Sequence, residues 1–181
     1  MNRELSAVAE ASGLATATAE SAKIRSECFV DLDIPCSTDT LRRAYGYWRS
    51  KLRPERLPGR RDIDPLDLRG LLPSLKLVDV ELANGGRRFR YRLMGENHVS
   101  ALGFNATGRY ADEIWQISSD SCGIVARYEA VCDRRQAHYW VRSFIDRSKS
   151  WRYFERVVMP LASDGRTVDM LFIALAPLSS D

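Results

Sequence analysis

From residue 38 onward the apolar positions Leu41, Ala44, Tyr45, Trp48 and Leu52 recur at intervals of three and four, the spacing of one helix face. Ser37 or Thr38 can cap such a helix and Pro54 ends it, so the spacing predicts a helix over 38–52. A basic, proline-containing connection follows over 53–64. Asp64-Pro65 then opens a short helical turn reaching about Leu71, with proline at a position where its missing N–H is harmless. The period next changes to two. Leu75 to Leu82 and Arg87 to Met94 read as paired strands, the second alternating Phe89, Tyr91 and Leu93 with Arg88, Arg90 and Arg92. Asn84-Gly85-Gly86 supplies the positive φ values of the hairpin turn between them.

Gly95 breaks the second strand, Asn97 to Leu102 is a short helix ended by Gly103, and the segment through Trp115 is loop with one further turn. Ser118 or Ser119 caps a longer helix whose buried stripe is Ile124, Val125, Tyr128, Val131 and Cys132, with Arg134 and Arg135 at its negative end. Three strands close the chain: Ala137 to Asp146, Trp151 to Ala162, and Thr167 to Ala176. Asp164-Gly165 is a tight-turn signal between the last two, and residues 146–150 make a longer hairpin loop.

Composition changes this picture mainly at the N-terminus. Residues 1–36 are rich in Ala, Ser, Thr and Glu and hold too few large apolar groups to offset the entropy of ordering them. They read as a mobile tail, within which Ala7 to Ala22 has the propensity for a weak helix against a partner. With 181 residues and 45% hydrophobic content, the remainder, 37–178, is one domain with a real core, divided into a helical extension (37–72) and a core (73–178). The longest apolar run, Met170 to Leu178, is too short for a membrane span, and no secretory signal pattern opens the chain. A cytoplasmic protein is expected. Cys28, Cys36, Cys122 and Cys132 lack metal-site spacing and read as buried, reduced thiols. Net charge is only +3, yet Arg42, Arg43, Arg49, Lys51, Arg53, Arg56, Arg60 and Arg61 crowd one segment.

Hairpins pair neighbouring strands, and a helix-bearing connection of more than forty residues separates the two strand groups. The expected class is α+β: a five-stranded antiparallel sheet with helices on one face, an additional N-terminal helix, and a pocket between sheet and helices. That order, together with Leu57-Pro58, Asp62-Ile63-Asp64-Pro65, Leu71-Leu72-Pro73, Phe89 to Gly95, Thr107-Gly108-Arg109, Met159-Pro160-Leu161, Asp164-Gly165 and Val168-Asp169-Met170, resembles a PAS domain. More narrowly, it resembles small bacterial PAS-like proteins made of one sensory domain, over about residues 38–176. The resemblance implies strand order 2-1-5-4-3, a cavity roofed by the middle helices, and a role in signal transduction through a small ligand or a regulatory protein partner. It implies no catalytic residues and names no cofactor. Glu96 departs from the small hydroxylic residue more usual after the glycine. No output domain accompanies the sensor in this sequence, so a signal is expected to leave through a partner.

The residues themselves carry little chemistry. No nucleophile-elbow sequence occurs, and the carboxylates are scattered. His98 is the candidate for a ligand hydrogen bond, for haem ligation, or for an enzyme in which it works with a nearby carboxylate; the simpler reading is a helix-end histidine with a backbone partner. Tyr91, Trp115, Tyr128, Tyr139 and Phe154 are candidate pocket linings, or simply core. Arg109 could clamp a carboxylate or phosphate at a pocket mouth, or bridge to an acidic neighbour. The candidate ligand-binding set is therefore Tyr91, His98, Arg109, Trp115, Tyr128 and Tyr139. Arg88, Arg90 and Arg92 form a solvated stripe or pair with Asp79 and Glu81. The basic segment 42–61 offers a nucleic acid or an anionic second messenger a binding surface, though Glu55, Asp62 and Asp64 dilute it. Helix 38–52 buries its apolar face either on its own sheet or on a second copy, the latter giving a homodimer.

Overall fold

Six antiparallel strands form one sheet in the computed structural model, which describes residues 24–30, 33–83, 85–114, 123–145 and 151–178. They are β1 (Ile24–Val30), β2 (Leu75–Ala83), β3 (Gly86–Met94), β4 (Ala137–Ile145), β5 (Trp151–Leu161) and β6 (Met170–Leu178). Their spatial order is β1-β4-β5-β6-β2-β3. Without β1 this is the expected 2-1-5-4-3, with the last strand beside the first of the core.

The strand count corrects the expectation of five. The added strand lies in the stretch 1–36 read as a tail; residues 1–23, including Ala7 to Ala22, lie outside the described residues. Its own alternation is weak, and its partner decides its conformation. Cys28 pairs with Tyr139 and Phe29 with His138, which satisfies the free edge of β4. Phe29 also stacks 4.7 Å from the His138 ring and 4.4 Å from the Arg134 guanidinium.

Helix α1 (Asp39–Ser50) forms where the spacing places it, two residues short of the expected end. Thr38 is the N-cap, its hydroxyl accepting the Leu41 N–H, and Leu41, Ala44, Tyr45 and Trp48 are buried. That face packs on β5 and β6 of its own sheet, and the Trp48 indole N–H donates to the Pro160 carbonyl at 3.0 Å. Ahead of the helix, the Glu155 carboxylate accepts from the Ser37 N–H (2.9 Å), the Thr38 N–H (2.7 Å), the Thr38 hydroxyl and the Tyr139 hydroxyl (3.0 Å).

The opposite face carries α2 (Glu96–Leu102), α3 (Ala111–Ile114) and α4 (Ile124–Arg134). Helix α4 follows Gly123, which has φ +72°; the expected caps Ser118 and Ser119 lie outside the described residues, as do Trp115, Cys122 and the 146–150 loop. The turn expected over Asp64 to Leu71 is a hydrogen-bonded turn at 65–68 followed by a 3₁₀ helix, Arg69–Ser74, which contains Pro73. Strand β6 begins at Met170 rather than Thr167, because the Asp164 carboxylate accepts both the Arg166 and Thr167 N–H groups at 2.7 Å and curls the chain there. Those bonds hold the Asp164 carboxyl down at about 2. With helices on both faces, β6 is buried from Met170 through Ala176 and reads as a continuous apolar run.

Candidate functional site

Helix α2 is set against the sheet by its first neighbour, Gly95. A side chain there would place Cβ 2.4 Å from the Leu72 and Pro73 carbonyl oxygens, so only glycine lets the strand end come this close to the 3₁₀ helix. The Gly95 N–H donates to the Leu75 carbonyl at 2.8 Å, and the Gly95 carbonyl accepts from His98 at 3.0 Å. One turn in, His98 is 2% exposed with Nε2 2.9 Å from the Ser74 carbonyl, while Asn97 donates to the Ser74 hydroxyl at 2.7 Å. A carbonyl only accepts, so Nε2 carries the proton and Nδ1 the lone pair. Burial, followed by the charges of Lys76 and Arg156, holds the imidazole well below its usual range; the Ser74 carbonyl pulls weakly the other way. His98 is a neutral ring.

Between α2 and the sheet lies a small, partly open cavity. Lys76 from β2, Tyr91 from β3 and Arg156 from β5 reach it from the sheet, and His98 reaches it from above. Met94, Leu102 and Ile124 complete the wall. Lys76 and Arg156 are 4% and 6% exposed, their stems buried among apolar neighbours. The Lys76 ammonium stands 4.7 Å from the Tyr91 ring centre, and the Arg156 guanidinium 5.3 Å from that of Trp140. The free space is about 10 Å³. That is room for one water, against roughly 300 Å³ or more in a typical small-molecule site. A larger hollow of about 590 Å³ at the β2–β3 turn, bounded by Leu82, Gly85, Arg87 and Glu129, is an open trough. There Arg87 is already committed to Glu129 at 2.7 Å and Asp133 at 2.6 Å.

Of the candidate ligand residues, the structure brings Tyr91 and His98 together on this cavity. Tyr128 lies on the same side, fully buried with its ring 5.3 Å from Phe89 in an edge-on packing, but outside the cavity lining. Tyr139 faces the other side of the sheet, where its hydroxyl donates to Glu155; burial and that carboxylate push its phenol up. Arg109 stands exposed beside the outer edge of β3 with its guanidinium 6.0 Å over Phe104. What its segment supplies is backbone: the Gly108 N–H donates to the Tyr91 carbonyl at 2.7 Å and the Tyr91 N–H to the Arg109 carbonyl at 2.9 Å. Trp115 lies outside the described residues.

Lys76 and Arg156 were missed, yet each left a signal. Lys76 interrupts Leu75-Lys76-Leu77-Val78, and Arg156 opens the run to Val157-Val158-Met159, so each is a cation inside a strand buried on both faces.

A family model described as a PAS domain matches residues 36–176. The chain belongs to the PAS domain family. Among solved structures, a light-oxygen-voltage domain studied with a flavin analogue is similar at 11% identity and TM-score 0.44, over 63% of this chain and 83% of that one. The light state of the blue-light photoreceptor Aureochrome1 LOV domain is similar at 11% identity and TM-score 0.42, over 63% and 88%. An RNA-binding light-oxygen-voltage receptor is similar at 12% identity and TM-score 0.47, over 87% of this chain and 39% of that one. No curated protein matches the chain.

A PAS domain carries a sensory or regulatory role. In this PAS domain the strand arginines serve the scaffold. Arg90 pairs with Glu81 at 2.7 Å and Asp79 at 3.4 Å, Arg92 with Asp79 at 2.6 Å, and Arg88 with Asp112 and Glu113. Among the described residues no group of three or more His, Cys, Asp or Glu could hold a metal ion, and no helix is long and apolar enough to cross a membrane.

Proposed function

We propose that this PAS domain is a non-catalytic sensory module in which a small ligand enters the water-sized cavity lined by Tyr91, His98, Lys76 and Arg156 by displacing part of its wall, and whose state is read by a regulatory protein partner. One observation carries the reading: the side chains of Lys76, Arg156 and His98, each more than 90% buried, line one small space from two strands and a helix. Burying such groups is costly, and a scaffold alone would be better served by apolar ones. Catalysis by His98 draws no support from its surroundings. The charges acting on it are the cations Lys76 and Arg156, and its Nε2 is bonded to the Ser74 carbonyl, which is the helix-end partnership rather than a ligand position for haem.

The basic segment 42–61 spends much of its charge internally. Arg43, Arg49 and Lys51 have the carboxylates of Asp39, Asp33 and Asp67 at 3.9, 3.0 and 3.9 Å, while Arg42, Arg56 and Arg60 have their guanidinium groups tied to backbone carbonyls. That supports a cavity ligand over a polyanion. Native mass spectrometry of the full chain after incubation with a small-metabolite extract tests the reading. A small-molecule adduct that disappears on denaturation is expected; the bare chain mass under every loading condition would overturn it.

A further inference from the structure

We infer that strand β1 is a pH-gated clasp: the neutral ring of His138 helps to hold it on the edge of β4, and protonation of that ring releases it. The gate belongs to the sheet edge and stands apart from the cavity under α2.

Strand β1 ends the sheet order, with β4 as its neighbour. Glu27 stands opposite Trp140 and Phe29 opposite His138, so these four side chains share one face, the one on which the Arg127 guanidinium of α4 lies 5.7 Å from the Trp140 ring centre. Arg127 grips the Glu27 carboxylate with Nε at 2.8 Å and Nη2 at 3.0 Å, and Nε2 of His138 lies 3.1 Å from the same carboxylate. The Phe29 ring packs 4.7 Å from the His138 ring, with the Arg134 guanidinium 4.4 Å from the Phe29 centre. Under this cover His138 is 3% exposed. Trp140 of its own strand lies 5.2 Å away, and β5 sets the apolar Val158 opposite it.

A carboxylate only accepts, so in the neutral ring Nε2 carries the proton and Nδ1 the lone pair. Nδ1 is buried with no hydrogen-bond partner among the described residues. Protonation would add an N–H there with nothing to receive it, and would set a cation against the charges of Arg127 and Arg134. Glu27 favours that cation, but its two oxygens already hold the Arg127 fork. Burial outweighs the carboxylate, so the docked ring sits below its usual range. When β1 leaves, Glu27 and Phe29 leave with it, β4 becomes the edge strand, and water reaches the ring, which then takes up a proton near pH ~6.5. The released form therefore binds more protons than the docked one. Falling pH favours release by up to about tenfold per pH unit, from the ordinary histidine range down to the lower pH at which the docked ring itself titrates. Release bares the backbone groups of the β4 edge, so the proton signal reaches a surface that the docked form lacks.

The test follows amide hydrogen exchange of the full chain from pH 7.5 to 5.5, expressed as protection factors so that the intrinsic pH dependence of exchange cancels. The β1 amides bonded to β4 are expected to exchange ahead of those of β5 and β6, and to lose roughly three- to tenfold in protection across the range. His138→Phe keeps a ring against Phe29 and removes the titrating group, so β1 protection should become nearly independent of pH. His98→Gln should leave the β1 response intact, because the His98 ring stays covered when β1 alone opens. In the unaltered chain the ¹⁵N shifts of the His138 ring should show the neutral Nε2–H form for as long as β1 is protected, a readout that decides even where a variant fails to fold. Protection of β1 that is the same at both ends of the range, or a pH response that survives His138→Phe, would overturn the clasp. So would a response reduced to the same extent by His98→Gln, which would mean that β1 opens only with the whole sheet, or a protonated His138 ring under a protected β1.

Discussion

Gly95 decides how closely two backbones approach. With φ at −69° it occupies a conformation open to any residue, so its requirement comes from the carbonyl oxygens of Leu72 and Pro73 and not from its dihedral angles. Alanine there must push the 3₁₀ helix from the start of α2, which we expect to cost about 1–3 kcal/mol, the usual range for overpacking a tight site. A urea titration of Gly95→Ala should show the lowered midpoint, and an unchanged midpoint would mean that the two backbones separate freely. The same displacement would lengthen the His98 to Ser74 bond, so the His98 ring signal in the variant reports whether the cavity roof has moved. At this scale the sequence was informative only where chemistry is local. Gly95 announced a break after an alternating strand, and Asp164-Gly165 announced a turn. Which way Tyr139 and Arg109 point was not legible, because one residue of register exchanges the two faces of a strand and a loop arginine has no register at all. Lys76 and Arg156 look unexceptional until both faces of their strands are known to be covered.

Among the elements, α1 shows how a helix with an evident apolar face acquires its one partner. The three-four spacing of Leu41, Ala44, Tyr45 and Trp48 was legible, but the choice between its own sheet and a second copy was not, because periodicity names a face and never what covers it. The structure supplies two attachments. Trp48 packs on the sheet and bonds the Pro160 carbonyl, and Glu155 gathers four donors at the start of the helix, where its negative charge also suits the helix dipole. Glu155→Gln replaces an acceptor-only carboxylate with an amide whose NH₂ faces donors, at an expected cost of about 1.5–3 kcal/mol for hydrogen bonds to a charged group. Hydrogen exchange of residues 39–50 should accelerate in that variant; unchanged protection would show that the carboxylate is not what holds the helix. Trp48→Ala should cost about 3–5 kcal/mol, as large aromatic truncations in cores do. That loss should be the same at every protein concentration, whereas a helix clasped by a second copy would make it concentration-dependent. Strand β1 illustrates the opposite case. Its seven residues carry too faint an alternation to be read, and the free edge of β4 is what orders them.

The whole molecule inherits a pH dependence from its two histidines, both buried. His98 is held well below its ordinary range by burial and then by Lys76 and Arg156. His138 is lowered by burial as well, partly opposed by Glu27, whose carboxylate lies 3.1 Å from its Nε2. In the unfolded chain both rings take up protons near pH ~6.5, while in the folded chain they do so only at lower pH. Between those points the unfolded state binds more protons, so stability must fall as pH falls, by up to about 1.4 kcal/mol per pH unit for each histidine that stays neutral. Carboxylates act in a different window. Asp164, held at about 2, contributes stability above the ordinary aspartate range that is lost only as pH falls towards that value. A series of denaturant titrations from pH 7.5 to 5.5 therefore isolates the histidines, and the midpoint should decline steadily across it. His98→Gln keeps an amide donor for the Ser74 carbonyl and removes the titrating ring, so its midpoint should decline with a visibly shallower slope. An identical slope in the variant would mean that His98 takes up its proton in the folded state, and that the two cations beside it do not govern the potential in the cavity.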